Sequence, residues 1–160
     1  MLKFAAFIAL STTVLLSPAP AFARGQVVPN DLGKCKEGAG PAVLVNVSGV
    51  KESQGTMRVQ TYPGTASAWL QKGAWLNRVE APAKAGKMQF CLPIASAGTY
   101  AVAIRHDLNG NGKTDIFVDG GGMSNNPSIN IFNLGKPSYK KTAFNVGNEV
   151  KSINIKMKYR

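Results

Sequence analysis

Segments in which apolar and polar residues alternate with a period of two recur along this chain, at 43–48, 57–62, 87–92 and 99–106. The alternation is clearest near the C-terminus, where apolar side chains occupy one parity and polar or basic ones the other: Ile153, Ile155, Met157 and Tyr159 against Asn154, Lys156, Lys158 and Arg160. Successive side chains of a β-strand point to opposite faces of its sheet. Each segment is therefore predicted to be a strand with one buried face.

Clusters of Gly, Pro and Asn separate these segments, and no long amphipathic helical pattern is present. Segment 66–81 is the only stretch suited to a short helix, and Gly73 interrupts it. About seven short strands with such turns predict an all-β fold, a single antiparallel β-sandwich over 41–160. Residues 24–40 are Gly-rich and lack periodicity, and we expect them to form an extended N-terminal arm.

Residues 1–23 have the parts of a secretory signal peptide. Lys3 supplies the positive charge, 4–16 is almost wholly apolar, and Ala21-Phe22-Ala23 fits a signal-peptidase site. Two prolines end the apolar run before it reaches the roughly 20 residues that span a bilayer, which argues against an uncleaved anchor. We expect a mature chain that begins at Arg24, does not span a membrane, and is periplasmic or secreted.

The two cysteines, Cys35 and Cys91, are expected to pair in such an oxidising compartment. Neither belongs to a C-x-x-C motif, and no neighbouring residue marks either one as a nucleophile or a zinc ligand. A bond between them would restrict the unfolded chain by about 4 kcal/mol in the loop-entropy model. We predict a structural disulfide rather than a reactive thiol.

The chain is strongly basic, with 19 Lys and Arg against 8 Asp and Glu, and removal of Lys3 changes the formal charge from +11 to +10. Four basic residues near the C-terminus form a candidate site for anionic surfaces: Lys151, Lys156, Lys158 and Arg160. Anionic envelope lipid or acidic polysaccharide would suit such a site. Alternatively, these side chains only protect an edge strand from aggregation. We expect a monomer that does not bind nucleic acid, since export separates it from that partner.

The densest polar motif follows the strand at 99–106 and has the side-chain spacing of a calcium loop. Its candidate ligands are the side chains of Asp107, Asn109, Asn111 and Asp115 and the carbonyl of Lys113. Position twelve of the loop is Val118, where an EF-hand carries a bidentate Glu, so the predicted site is weak. The alternative is a metal-free turn, because the two Asn-Gly steps readily adopt positive φ.

Three segments of the chain resemble a secreted bacterial family, domain of unknown function 2141: the run from Ala97 to Asp115, the triplet Ser124-Asn125-Asn126, and the run from Gly135 to Phe144. The resemblance covers about 41–160, and its most specific part is the string H-D-x-N-x-N-G-K-x-D beginning at His106. The Pro-x-Glu-Gly step associated with the family is absent between Asp115 and Ser124. The resemblance implies an exported prealbumin- or immunoglobulin-like sandwich and no particular chemistry.

Few residues are available for catalysis, because the chain has one His and eight carboxylates. His106 and Asp107 are neighbours on a strand and point to opposite faces, and His106 shares the parity of apolar Ile104, which favours a structural role. Ser124 follows three glycines in 119–128, a segment that we expect to be a flexible loop without a nucleophile motif. We predict a non-enzymatic binding or accessory module of the cell envelope with no cofactor other than calcium. The alternative is a secreted hydrolase that uses His106 with a carboxylate.

Overall fold

The computed structural model describes residues 25–130, 133 and 135–160, so the predicted signal peptide at 1–23 lies outside the described residues. The described residues form nine strands, a 3-10 helix at Leu32–Cys35 and a short α-helix, α1, at Tyr139–Thr142. The strands are β1 (Gln26–Val27), β2 (Ala42–Val50), β3 (Thr56–Pro63), β4 (Asn77–Pro82), β5 (Gly86–Pro93), β6 (Gly98–Asp107), β7 (Gly120–Met123), β8 (Phe144–Val146) and β9 (Val150–Lys156).

The strands form two sheets with a shared core. The larger sheet has the order β1-β4-β3-β6-β7, with β8 paired to the first residues of β6, and the smaller has the order β5-β2-β9. Buried apolar side chains of both sheets form one cluster, which includes Val43, Val45 and Phe90 from the smaller sheet and Val59, Val102 and Ile104 from the larger. The prediction of an all-β sandwich is confirmed, with nine strands among the described residues instead of about seven.

Two strand pairs differ from the antiparallel prediction, because β1 with β4 and β2 with β9 are parallel. The chain passes through β6, β7 and β8 of the larger sheet before β9 returns to the smaller one. Such a long crossover is what a parallel neighbour requires. Alternation specifies which side chains are buried, but it carries no information about the direction of a partner strand.

The N-terminal arm is attached to both sheets. Its first residues form β1 beside β4, and its 3-10 helix ends at Cys35, which is disulfide-bonded to Cys91 on β5. Both cysteines are buried, and the predicted bond is present. The arm is thus extended at β1 and then contains a helical turn.

A single asparagine side chain pairs with each outer edge of the smaller sheet. On β5, the Asn30 amide donates to the Gln89 carbonyl (2.9 Å) and accepts from the Cys91 N–H (3.0 Å). On β9, Asn126 donates to the Asn154 carbonyl (2.9 Å) and accepts from the Lys156 N–H (2.8 Å). Each amide therefore makes the donor–acceptor pair that one residue of an additional strand would make.

Two local expectations are corrected by the structure. Segment 66–81 contains turns followed by the first residues of β4 and forms no helix. Segment 119–128 contains β7, which pairs with β6 over four residues, instead of being a flexible loop throughout. The glycine content of this segment suggested a loop. In the structure, the absence of a side chain at Gly120 and Gly122 allows β9 and the residues after it to lie close to β7.

Candidate functional site

The loop between β6 and β7 is built from consecutive asparagine and aspartate turns. The side-chain oxygen of Asn109 accepts from the Asn111 N–H (3.1 Å), and that of Asn111 accepts from the Lys113 N–H (2.7 Å). Asp115 repeats the pattern with the Phe117 N–H (3.2 Å). In each turn the side-chain oxygen accepts from the backbone N–H two residues further on, which curls the chain locally.

Asp107 lies at the start of this loop, with its side chain only 6% exposed. Its Oδ2 accepts from the Gly112 N–H (2.9 Å) and from the Arg105 guanidinium (3.2 Å). Among the described residues, its Oδ1 is buried and has no hydrogen-bond partner. Since a buried carboxylate oxygen is ordinarily hydrogen-bonded or bound to a cation, this atom is an available ligand.

Arg105 crosses the same loop from the outer face of β6. Its guanidinium also donates to the Gly112 carbonyl (3.0 Å) and to Thr114 Oγ1 (3.0 Å). Burial and then the charge of Arg58 lower the pKa of Arg105, whereas the Asp107 charge raises it. Arg105 fixes the orientation of the Asp107 carboxylate and partly neutralises it.

Asp119 closes the base of the loop and is absent from the predicted ligand set. Its two oxygens accept from the Leu108 N–H (3.2 Å) and the Asp115 N–H (2.9 Å), and its side chain is buried. It is the thirteenth residue counted from Asp107, one beyond the position at which an EF-hand carries its glutamate, and an acidic residue there was the available sequence signal. Within the described ranges no three His, Cys, Asp or Glu side chains are grouped to hold a metal, so a cation here would depend on asparagine and carbonyl oxygens as well.

His106 is fully buried on the inner face of β6. The Gln54 carbonyl can only accept, so Nε2–H donates to it (2.7 Å), and Nδ1 is hydrogen-bonded to the Tyr159 hydroxyl (2.7 Å). The Tyr159 oxygen also accepts from the Lys51 N–H, and burial raises the pKa of Tyr159. Both ring nitrogens are thus engaged within the core, as the structural interpretation of His106 predicts.

The triplet Ser124-Asn125-Asn126 bonds to backbone groups of three different segments. Ser124 is fully buried, and its hydroxyl accepts from the Val102 N–H (3.0 Å) and donates to the Thr142 carbonyl (2.6 Å). Asn125 donates to the Ala143 carbonyl (3.0 Å), and Asn126 pairs with β9. These contacts tie β6, α1 and β9 together, and they give the hydrolase alternative no support, because Ser124 is bonded to the backbone and not to His106.

The four predicted basic residues do not form one group. Lys151 and Lys156 lie five positions apart on β9, about 17 Å at the usual strand rise, and on opposite parities. The Lys158 ammonium donates to the Pro127 carbonyl (2.8 Å). The Arg160 guanidinium lies 6.0 Å from the centroid of the Phe117 ring, at the tip of the loop.

The loop tip itself is apolar and exposed, a feature that sequence analysis missed. Ile116, Phe117 and Val118 are 51%, 75% and 41% exposed. Beside them is a shallow depression, lined in part by Lys51, Glu52 and Arg160. Three adjacent apolar residues in an otherwise polar loop were the available sequence signal.

In a comparison with known protein families, residues 45–154 match the family described as uncharacterized protein conserved in bacteria, DUF2141. The chain belongs to this family. The matched span includes the loop motif and the Ser-Asn-Asn triplet, which confirms the resemblance seen in the sequence. No curated protein and no solved structure matched the chain. No helix among the described residues is long and apolar enough to cross a bilayer.

Proposed function

We propose that the mature chain is an exported, non-enzymatic module of the bacterial cell envelope that holds calcium in its 107–115 loop and binds anionic envelope material through its basic residues. The disulfide between Cys35 and Cys91 supports export, because such bonds persist in oxidising compartments. The observation that carries the calcium proposal is the buried, unpaired Oδ1 of Asp107 at the entrance of a curled, oxygen-rich loop.

The hydrogen bonds of the loop leave the required oxygens available for a cation. One carboxylate oxygen of Asp107 is held by Gly112 and Arg105, so the other has a fixed direction. The oxygens of Asn109 and Asn111 each accept one N–H and retain a second lone pair. With Asp115 and the Lys113 carbonyl they provide the oxygen ligands that calcium takes.

Affinity should be low. Val118 stands at position twelve, and Asp119 is occupied by two backbone N–H groups, so no bidentate carboxylate is available. Arg105 and the positive net charge also oppose a cation. We expect a dissociation constant of about 10⁻⁴ to 10⁻³ M, the range of extracellular calcium modules.

Calcium titration of the Asp107→Asn variant tests this proposal. Wild-type protein should give heat on titration and a higher melting temperature with calcium, since a ligand at ten times its dissociation constant stabilises by about 1.4 kcal/mol. Asp107→Asn should lose both effects, because an amide replaces the carboxylate while its shape is kept. Glu149→Gln, which removes the same charge from an exposed site, should retain them.

The outcome that contradicts the calcium proposal is a wild-type protein with no heat and no thermal shift at several millimolar calcium. The loop would then be a metal-free turn in which Arg105 is the counter-charge of Asp107.

A further inference from the structure

The apolar side chains at the tip of the β6–β7 loop, Ile116–Val118, are exposed. Phe117 is 75% exposed, more than any other large apolar side chain in the described ranges. The remaining exposed ones, Val27 and Leu32, are separated from each other along the N-terminal arm. Contiguous exposed apolar side chains with a polar rim are typical of interaction sites.

Two N–H groups of the tip, and the one that follows them, are already hydrogen-bonded within the loop. The N–H groups of Phe117, Val118 and Asp119 all donate to Asp115, the first to its side chain and the others to its carbonyl. Transfer of unpaired backbone groups into an apolar phase is costly. Pairing these three N–H groups beforehand lowers the cost of placing the tip in lipid.

Three basic side chains lie near the tip, as do the carboxylates of Asp115 and Glu52. Arg160 lies against the Phe117 ring, Lys51 lines the adjacent depression, and Lys113 is exposed on the same loop. The neighbouring carboxylate, Glu52, is 3.5 Å from the Lys51 ammonium and is therefore partly compensated. An apolar tip within a basic rim matches a surface that is anionic outside and apolar beneath.

We propose that the 116–118 tip inserts into the headgroup–acyl boundary of an anionic phospholipid bilayer, with Lys51 and Arg160 against the phosphates. This inference rests on the proposed envelope role and names lipid as the partner. Acidic polysaccharide provides the negative charge but no apolar phase for Phe117. Amphipathic surfaces of this kind bind by apolar burial together with attraction to anionic headgroups.

Co-sedimentation with vesicles tests the inference, using disulfide-bonded protein from Arg24 to Arg160. Wild-type protein should bind vesicles containing phosphatidylglycerol and bind pure phosphatidylcholine vesicles much more weakly. Phe117→Ser should weaken binding to the anionic vesicles about tenfold, since it removes one large inserted side chain. Leu32→Ser, which removes an exposed apolar side chain from the arm, should bind as wild type does.

Two outcomes would overturn tip insertion and are distinguishable. If Phe117→Ser binds as wild type does and all binding disappears at 1 M salt, the contact is purely electrostatic, and the proposed anionic binding stands without an inserted tip. If wild-type protein sediments with neither type of vesicle, the lipid partner is wrong. Binding to a soluble acidic polysaccharide would then show that this polysaccharide is the ligand of the basic residues. Because calcium binding is measured separately by calorimetry, neither outcome alters the calcium test.

Discussion

Two of the three glycines in β7 leave space for side chains that pack against this strand. A Cβ at Gly120 would lie 2.2 Å from the Tyr159 ring, and one at Gly122 would lie 2.8 Å from Ile155. At Gly121, which has the opposite parity, nothing lies within 4 Å. The two inward glycines therefore allow β9 and the residues after it to approach β7, and the outward one is not needed for space.

Substitution of these neighbouring glycines should have unequal effects. Gly120→Ala should lower the free energy of unfolding by about 1–3 kcal/mol, because Tyr159 must move away and lose its bonds to His106 and Lys51. Gly121→Ala should change it by less than about 0.5 kcal/mol. Urea denaturation of both variants provides the measurement, and equal losses would show that strand flexibility, not the Tyr159 contact, is what glycine provides.

For single residues, the sequence predicted which face of a strand a side chain occupies. It did not predict contacts between residues that are distant in sequence. The period-two pattern predicted the buried face of His106, but its partner Tyr159 is 53 residues away and no local pattern indicates it. The glycines of β7 suggested a loop because the residues that pack against them are also distant in sequence. The asparagine and aspartate turns after Asp107 follow from the spacing of the motif, whereas the contacts of Asp119 and Arg105 depend on how the loop folds back.

Strand β9 lies at an edge of the smaller sheet, and its two sides are hydrogen-bonded in different ways. It pairs with β2 on one side, and Asn126 bonds its other side at Asn154 and Lys156. Asn126 has a positive φ of 48°, a conformation that Asn tolerates better than most residues. The alternation in 153–159 predicted the faces of this strand, but neither its parallel partner nor the amide that covers its edge.

Replacement of Asn126 by glycine should open that edge without steric strain in the backbone, because glycine also accepts positive φ. We expect a loss of about 1–3 kcal/mol for the two hydrogen bonds and faster hydrogen exchange at the Lys156 amide. Asn125→Gly is the matched control, since Asn125 also has positive φ (62°) but bonds only to Ala143. An unchanged exchange rate at Lys156 in Asn126→Gly would show that the side-chain amide does not protect β9.

For the whole molecule, the disulfide is a covalent cross-link between the N-terminal arm and β5 of the smaller sheet. It joins residues 56 positions apart, and the family match begins only at residue 45, so Cys35 lies outside the matched span. Together with β1, which pairs in the larger sheet, and Asn30, which bonds the edge of β5, it holds the arm against both sheets. The arm is thus part of the folded unit even though its sequence has no strand pattern.

Removal of both cysteines, as Cys35→Ala with Cys91→Ala, should lower the free energy of unfolding by about 4 kcal/mol, because the unfolded chain regains the freedom of a long loop. Urea denaturation of the variant and of reduced wild-type protein should give similar losses. Intact mass before and after reduction checks the bond itself. Two titratable thiols in the unreduced exported protein would contradict this prediction.

The order in which the strands occur has a consequence for the timing of folding. β2 is the central strand of the smaller sheet, yet its parallel partner β9 follows every other strand in sequence. The residues just after β9 then join the two sheets, through Met157 bonded to Ser48 and Lys158 paired with Gly121. Under the proposed export from the N-terminus, the sandwich would close only after this segment has crossed the membrane. Late closure would then keep the chain in the open form that translocation requires.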